Sequence, residues 1–512
     1  MFPIPAPVTL KTRHYYYTPS IGGVLLLRVM WYSSAKTRRQ CWDKMLSRRV
    51  QKSLNWLGKA LPAAPPYPED VVKMDSAENW LVRPHILPIM KETINSNLEG
   101  EHLSYQKNYG GNPALLQATA AMLNKFFSPR LSVQPEHIVA GAGAAAILDS
   151  VDFAICDLDD GLLIDAPMWE GFGLASNLRN DDRLIPVARP PSYSTKEQAI
   201  EHYIKAMEGA PCRIRGIIVC NPQNPYGHIY PKFWMEAILQ FCEAQDIHYI
   251  SDEIYGMSTF GPSPTMSSSP GLSVSEKSQP IFESPETTFT SILSFDLERL
   301  GVDPARVHCI YGISKDLGSS GLRLGFFITQ QNPELRHALA ILNRFRVSNA
   351  SSLIGLGLFS DLLALESIFA KNKLDLRRAA EYVGDFLAFH NVSFYRPTAG
   401  CFLWARLGGS SATKESDAAM WQKFASAGVA LAIGGAFNET ERGWFRITYA
   451  LPREDLEKGV RRIETAMGVK EKWQPRDARE KMMTQKARSL QMRQKKSPMT
   501  FGLGLKWIMG WL

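Results

Sequence analysis

The stretch VHCIYGISKDLGSSGLRLG, residues 307–325, decides the fold. Val307 to Gly312 reads as a short β strand, and beyond it the chain turns polar and glycine-punctuated, with Lys315 at the corner. Two more apolar runs end the same way: RGIIVC, residues 215–220, leads into NPQNPYG, and IHYI, residues 247–250, leads into SDEIYG. Between such runs the chain carries longer helical patterns, which predicts an α/β layered architecture with a largely parallel sheet. In open sheets of that kind ligands sit beyond the carboxyl ends of the strands, where these three polar motifs fall.

Working outward, the alternation of strands and helices extends over residues 68–468. CFLWARL (401–407), VALAIGGAF (429–437) and WFRITYA (444–450) read as strands of a second layer, followed by a helix from about Pro452 and Arg453. The fold class expected is therefore α/β, a large domain with a mostly parallel sheet flanked by helices, plus a smaller α+β domain. Residues 261–290 shift to Ser, Pro and Thr, as in GPSPTMSSSPGLSVSEKSQP, and are expected to form an inserted surface loop with a lid as the functional alternative.

Composition narrows the function. The 512 residues include 45% hydrophobic residues, enough for two domains with sizeable cores. The seven cysteines are scattered without a Cys-x-x-Cys spacing, so neither a disulfide framework nor a metal site is expected. The formal net charge of +8 sits at the ends: residues 1–52 hold ten Lys/Arg against one acidic residue and 469–512 hold eleven against three, +17 together, leaving the body at −9. With no basic stripe in that body, nucleic acid is not an expected partner. The apolar run from Ile21 to Trp31 is interrupted by Arg28 and is far shorter than the ~20 residues of a membrane span. The basic N-terminus fits an organelle transit peptide or an extension without order, and cytoplasmic localisation is the first expectation.

The chemistry gathers around Lys315. A lysine that forms a Schiff base needs surroundings that depress its pKa. Arg323, eight residues on among glycines, suits a phosphate dianion. Asp252, ending IHYISD, is placed to keep a pyridine nitrogen protonated, although an Asp that caps a helix is the ordinary reading of an isolated case. Tyr255 and Asn224 offer hydrogen bonds to a phenolic oxygen, and Trp169 in DAPMWEGF offers a stacking face; a plain turn and core packing are the alternatives for Asn224 and Trp169.

Together these motifs resemble the fold type I pyridoxal-phosphate enzymes of the class I and II aminotransferase family, nearest its 1-aminocyclopropane-1-carboxylate-synthase-like branch. DSAENWL, residues 75–81, looks like that branch's Ala-Glu-Asn motif, and YGGNPAL, residues 109–115, like its Tyr-x-Gly segment. The resemblance implies a covalent bond from Lys315 to pyridoxal 5'-phosphate and proton transfer by the same amine. It implies Asp252 on the ring nitrogen, Asn224 and Tyr255 on the phenolic oxygen, Trp169 over the ring, Arg323 at the phosphate, and Ser314 among the cofactor-binding residues. Tyr109 would reach a phosphate across a homodimer with shared active sites, Ala77 and Glu78 would line the substrate side, and Arg446 would clamp the α-carboxylate. Two departures stand out. Gly312 replaces a phosphate-binding serine three residues before the lysine, and Ala145, beside Ala144 at the start of the helix after VAGAG, replaces a threonine. Each lost hydrogen bond to a charged group is worth about 1.5–3 kcal/mol, so cofactor affinity is expected to be lower; the helix amides remain as donors.

The expected division is 1–67 as a basic extension without order, 68–110 as the N-terminal arm of the small domain, 111–345 as the cofactor-binding domain, 346–468 as the small domain and 469–512 as a basic tail. Aminotransferase chemistry on an L-amino acid or a metabolite derived from one, in secondary metabolism, is the first reading. Behind it stand a carbon–sulfur β-lyase on cysteine conjugates, an aminocyclopropane-carboxylate-synthase-like lyase, and a catalytically weakened ligand-binding homologue. Cofactor motifs alone do not separate these, since one α-carbanion serves them all.

Overall fold

The computed structural model describes residues 46–47, 50–51, 66–179, 183–188, 195–261 and 281–475. Almost all of the basic stretch 1–52, residues 262–280 and the tail beyond 475 lie outside the described residues, and with them the expectations made there.

A seven-stranded sheet forms the centre. Its strands are β2 (Ile138–Gly141), β3 (Gly161–Ala166), β4 (Arg183–Ala188), β5 (Ile214–Cys220), β6 (His248–Asp252), β8 (Val307–Gly312) and β9 (Gly325–Ile328), in the order β2-β9-β8-β6-β5-β3-β4. Only β9 runs against its neighbours. The strands are apolar at their middles because the sheet is covered on both faces, with polar residues such as His248 and Asp252 at their ends. Ile164, Ile218, Ile250, Ile310 and Phe327 enter one core, while Leu163, Ile217, Tyr249, Cys309 and Phe326 enter the other, as the two-residue period of a strand requires.

The second sheet contains β7 (Ile281–Phe282), β10 (Phe394–Tyr395), β11 (Phe402–Ala405), β13 (Ala432–Ile433) and β14 (Phe445–Thr448), in the order β13-β14-β11-β10-β7. β1 (Val72–Lys73) pairs in parallel with β12 (Val429–Ala430). The chain then threads on along this second layer: Met74 N–H donates to Ala430 O at 3.0 Å, and Thr448 N–H donates to Met74 O at 2.9 Å. Residues 75–78 are thereby fixed against β14.

Two expectations need correction. The Ser/Pro-rich loop was expected to reach residue 290, but Ile281–Phe282 is a strand parallel to β10, and Phe282 stacks on Tyr395 with ring centroids 4.5 Å apart; two aromatic contacts supply the apolar burial that the composition of the stretch hides. The tail was expected to begin at 469, yet Trp473 is buried, edge-on to Tyr382 and Phe386. Among the described residues no single helix is long and apolar enough to cross a membrane.

Candidate active site

The carboxyl ends of β2, β3, β5, β6 and β8 open on one side, and the expected site residues follow them. Gly141, Gly325 and Gly312 stand in register across β2, β9 and β8. A side chain at Gly325 would come within 2.8 Å of Ala144 N, and one at Gly141 within 2.5 Å of Ile147. These glycines let the helix Ala144–Ile155 seat its N-terminus directly on the strand ends. Ala144 and Ala145 open that helix, and their N–H groups precede the first intrahelical acceptor, which makes an anion site of the turn. Arg323 adopts a left-handed conformation, φ 52°, that lays its guanidinium against Gly143. Its Nη2 donates to Ala142 O at 3.1 Å. Positive charge and helix amides thus converge beside Gly312, the position whose hydroxyl is missing.

Lys315 lies in the one-turn helix Ile313–Asp316, after Ser314. Its Nζ donates to Ala77 O at 2.7 Å. Burial depresses its pKa, and the Arg446 charge adds to this while Cys401, Glu78 and Asp252 oppose it. Asp316 fixes the turn by accepting from Met257 N–H at 2.8 Å and Ser258 Oγ at 2.6 Å. The loop of Tyr255 and the lysine are thereby locked together.

Asp252 is buried at the end of β6, and its Oδ1 has no hydrogen-bond partner. Burial pushes its pKa up to about 7, against the Ile254 N–H and the Lys315 charge. A buried orphan acceptor calls for a donor. A protonated pyridine nitrogen is such a donor, and it would return the carboxyl to its ionised form. Together with the phosphate cup and the half-buried amine, this orphan makes the residues present a fit for pyridoxal phosphate.

Arg446, 3% exposed on β14, donates to Asn224 Oδ1 at 3.1 Å and to the Asp75 carbonyl, while its Nε is unpartnered. It lies over the rings of Phe402 and Phe437. Tyr255 is buried edge-on to Phe402. Trp169 follows β3 and packs edge-on to Phe172. Glu78 accepts from Ser320 at 2.8 Å and from Arg83 at 3.0 Å; burial raises its pKa, but these partners and Lys315 outweigh it and hold the carboxyl low.

One expected residue stands apart. Tyr109 is 49% exposed, its ring under the Arg344 guanidinium, and not among the residues that surround Lys315. Three site residues were not anticipated from the sequence: the buried Cys401, the buried acid Asp75 and the half-buried Glu170, whose Oε2 is enclosed without a partner. Both acids sit inside quoted motifs, DSAENWL and DAPMWEGF, and an acidic residue beside a stacking tryptophan was the available signal.

Comparison with known proteins places this geometry. Residues 69–463 match the family model described as aminotransferase class I and II. A probable aminotransferase of Aspergillus fumigatus, gliI, is 42% identical over 78% of this chain and 91% of its own length. The aminotransferase verI of Clonostachys rogersoniana is 38% identical over 84% of this chain and 95% of its own. The aspartate aminotransferase of Thermus thermophilus, solved with maleate, superposes with a TM-score of 0.61 over 82% of this chain and 99% of its own, at 20% identity, a likeness of fold.

Proposed function

We propose, given that the chain belongs to the class I and II aminotransferase family, that Lys315 carries the cofactor and moves the substrate's α-proton in an amino-group transfer on an L-amino acid. The enzyme is a pyridoxal-phosphate-dependent transferase of fold type I. The observation that carries the residue assignment is the pairing of a half-buried amine with a buried carboxylate whose oxygen lacks a donor, at the ends of adjacent strands β8 and β6.

Pyridoxal phosphate, when bound, supplies an aldehyde that condenses with amines and a ring that accepts the electron pair left by a departing α-proton. Around it the chain's own groups divide the work. The amides of Ala144 and Ala145, the Ser314 hydroxyl and Arg323 take the phosphate. Asp252 takes the ring nitrogen, Asn224 and Tyr255 the phenolic oxygen, and Trp169 one face of the ring. Arg446 orients the substrate through its carboxylate, using the fork left open at Nε. Lys315, depressed by burial, is neutral often enough to accept the α-proton and near enough to return it. A homodimer in which Tyr109 completes the partner's phosphate site belongs to the same reading, supported by the half-exposed phenol that Arg344 holds outward.

The test is a panel of L-amino acids and cysteine conjugates given to holoenzyme, with keto acid, pyruvate and ammonia assayed. Keto acid without ammonia is expected; pyruvate with ammonia from the conjugates would make the enzyme a lyase instead.

A further inference from the structure

Four unpartnered polar atoms surround the cofactor and substrate positions: Asp252 Oδ1, Arg446 Nε, Asp75 Oδ1 and Glu170 Oε2. The cofactor's ring nitrogen accounts for the first and a substrate α-carboxylate for the second. Neither accounts for the other two.

Both remaining acids lie in the neighbourhood of Arg446. Asp75 is 8% exposed, and its own carbonyl accepts from the Arg446 guanidinium. Glu170 follows Trp169 on the loop after β3. That loop is tied down by Met168 N–H donating to Phe437 O at 2.9 Å and by Gln223 Nε2 donating to Pro167 O at 2.7 Å. The Phe437 ring centroid in turn lies 4.9 Å from the Arg446 guanidinium carbon. Both acids feel the Arg446 charge, and Asp75 adds to what raises Glu170. They therefore flank the clamp on the side of the stacking tryptophan.

We propose that Asp75 and Glu170 form an acidic seat for a second amino group on the substrate, so that the enzyme favours diamino acids; the inference rests on the assignment of Arg446 to the α-carboxylate. A carboxylate oxygen can only accept hydrogen bonds, whereas an ammonium offers three donors and a positive charge. An apolar side chain would leave both oxygens unsatisfied. A side-chain carboxylate would meet like charge at short range. Burial pushes both acids up, and a cation lodged between them reverses that tendency.

The experiment measures binding without turnover, using α-methyl amino acids, which lack the α-hydrogen, and following the cofactor's absorbance on holoenzyme. α-Methylornithine should bind at least about tenfold tighter than its near-isostere α-methylnorleucine, and α-methylglutamate weakest of the three. Glu170→Gln and Asp75→Asn should each reduce that preference several-fold. Equal binding of the ornithine and norleucine analogues overturns the seat, as does a preference that survives Glu170→Gln, the result expected if the two acids merely share a proton. Should a variant fail to hold cofactor, the comparison on the unaltered enzyme still decides. Failure of the underlying assignment looks different: 2-aminoisobutyrate, which has no side chain to recognise, would then leave the absorbance unmoved as well.

Discussion

In the role proposed for it, the amine of Lys315 has to be neutral to attack a carbonyl and basic enough to take a proton. Its neighbours divide those demands, burial and Arg446 lowering its pKa while Cys401, Glu78 and Asp252 hold it up. Lys315→Ala removes both roles at once. The variant should lose the absorbance of covalently held cofactor and at least about 10²–10⁴-fold of turnover, and persistence of that absorbance would refute the assignment. Arg446→Lys keeps the charge but not the fork. Its KM for amino acids should rise about ten- to a hundredfold with kcat less affected, as read from initial rates. An unchanged KM would mean that another group holds the carboxylate. At this scale the sequence is informative wherever a polar residue directly follows an apolar strand, which is why Lys315, Asp252 and Asn224 are legible in it. Asp75 and Glu170 are not. An acid on a loop is ordinarily solvated, and the Arg446 charge that both acids feel lies on β14, nearly three hundred residues after Glu170 and more after Asp75.

Strand ends do more than present motifs, as the opposite ends of β6 and β8 illustrate. His248 and His308 place ring nitrogens 3.0 Å apart, and His308 Nδ1 lies 3.0 Å from Thr329 Oγ1. Burial lowers both, His248 to about 4, with Arg215 and Arg306 adding to the effect and Asp246 opposing it. In the unfolded chain a histidine protonates near 6.5. Above that pH both states are neutral and the pair costs nothing. As pH falls from about 6.5 toward 4 the unfolded state takes up protons that the folded state refuses, so stability is lost, on the order of 3 kcal/mol from His248 alone. Melting temperatures between pH 7 and 4.5 should therefore fall less steeply in His248→Gln than in the parent, and parallel curves would exclude the pair as the cause. Of the elements themselves, the parallel strands were readable because two covered faces demand continuous apolar runs. The short pieces were not. β7 is two residues long and is stabilised by Tyr395, which lies over a hundred residues away in sequence.

For the whole molecule, the charge map and the fold now meet at Trp473. The acidic body does not end at residue 468. Trp473 is packed on Tyr382, and its N–H donates to Glu464 at 2.6 Å. Removal of residues 1–52 and 476–512 should leave activity and melting temperature nearly unchanged. Cutting at 469 instead should cost about 3 kcal/mol or more, the usual loss on deleting a buried aromatic. Equal melting of the two truncations would show that Trp473 contributes nothing. The pairing of β1 with β12 has a consequence of another kind, for synthesis on the ribosome. Val72 emerges early, but its partner Val429 follows roughly 350 residues later, an interval of about 20–70 s at ordinary elongation rates. By then the seven-stranded sheet, with Asp252 on it and Lys315 just beyond β8, has already left the tunnel. On the proposed assignment the newborn chain completes its cofactor side before its substrate side, and the last strands to appear are the ones that carry Arg446.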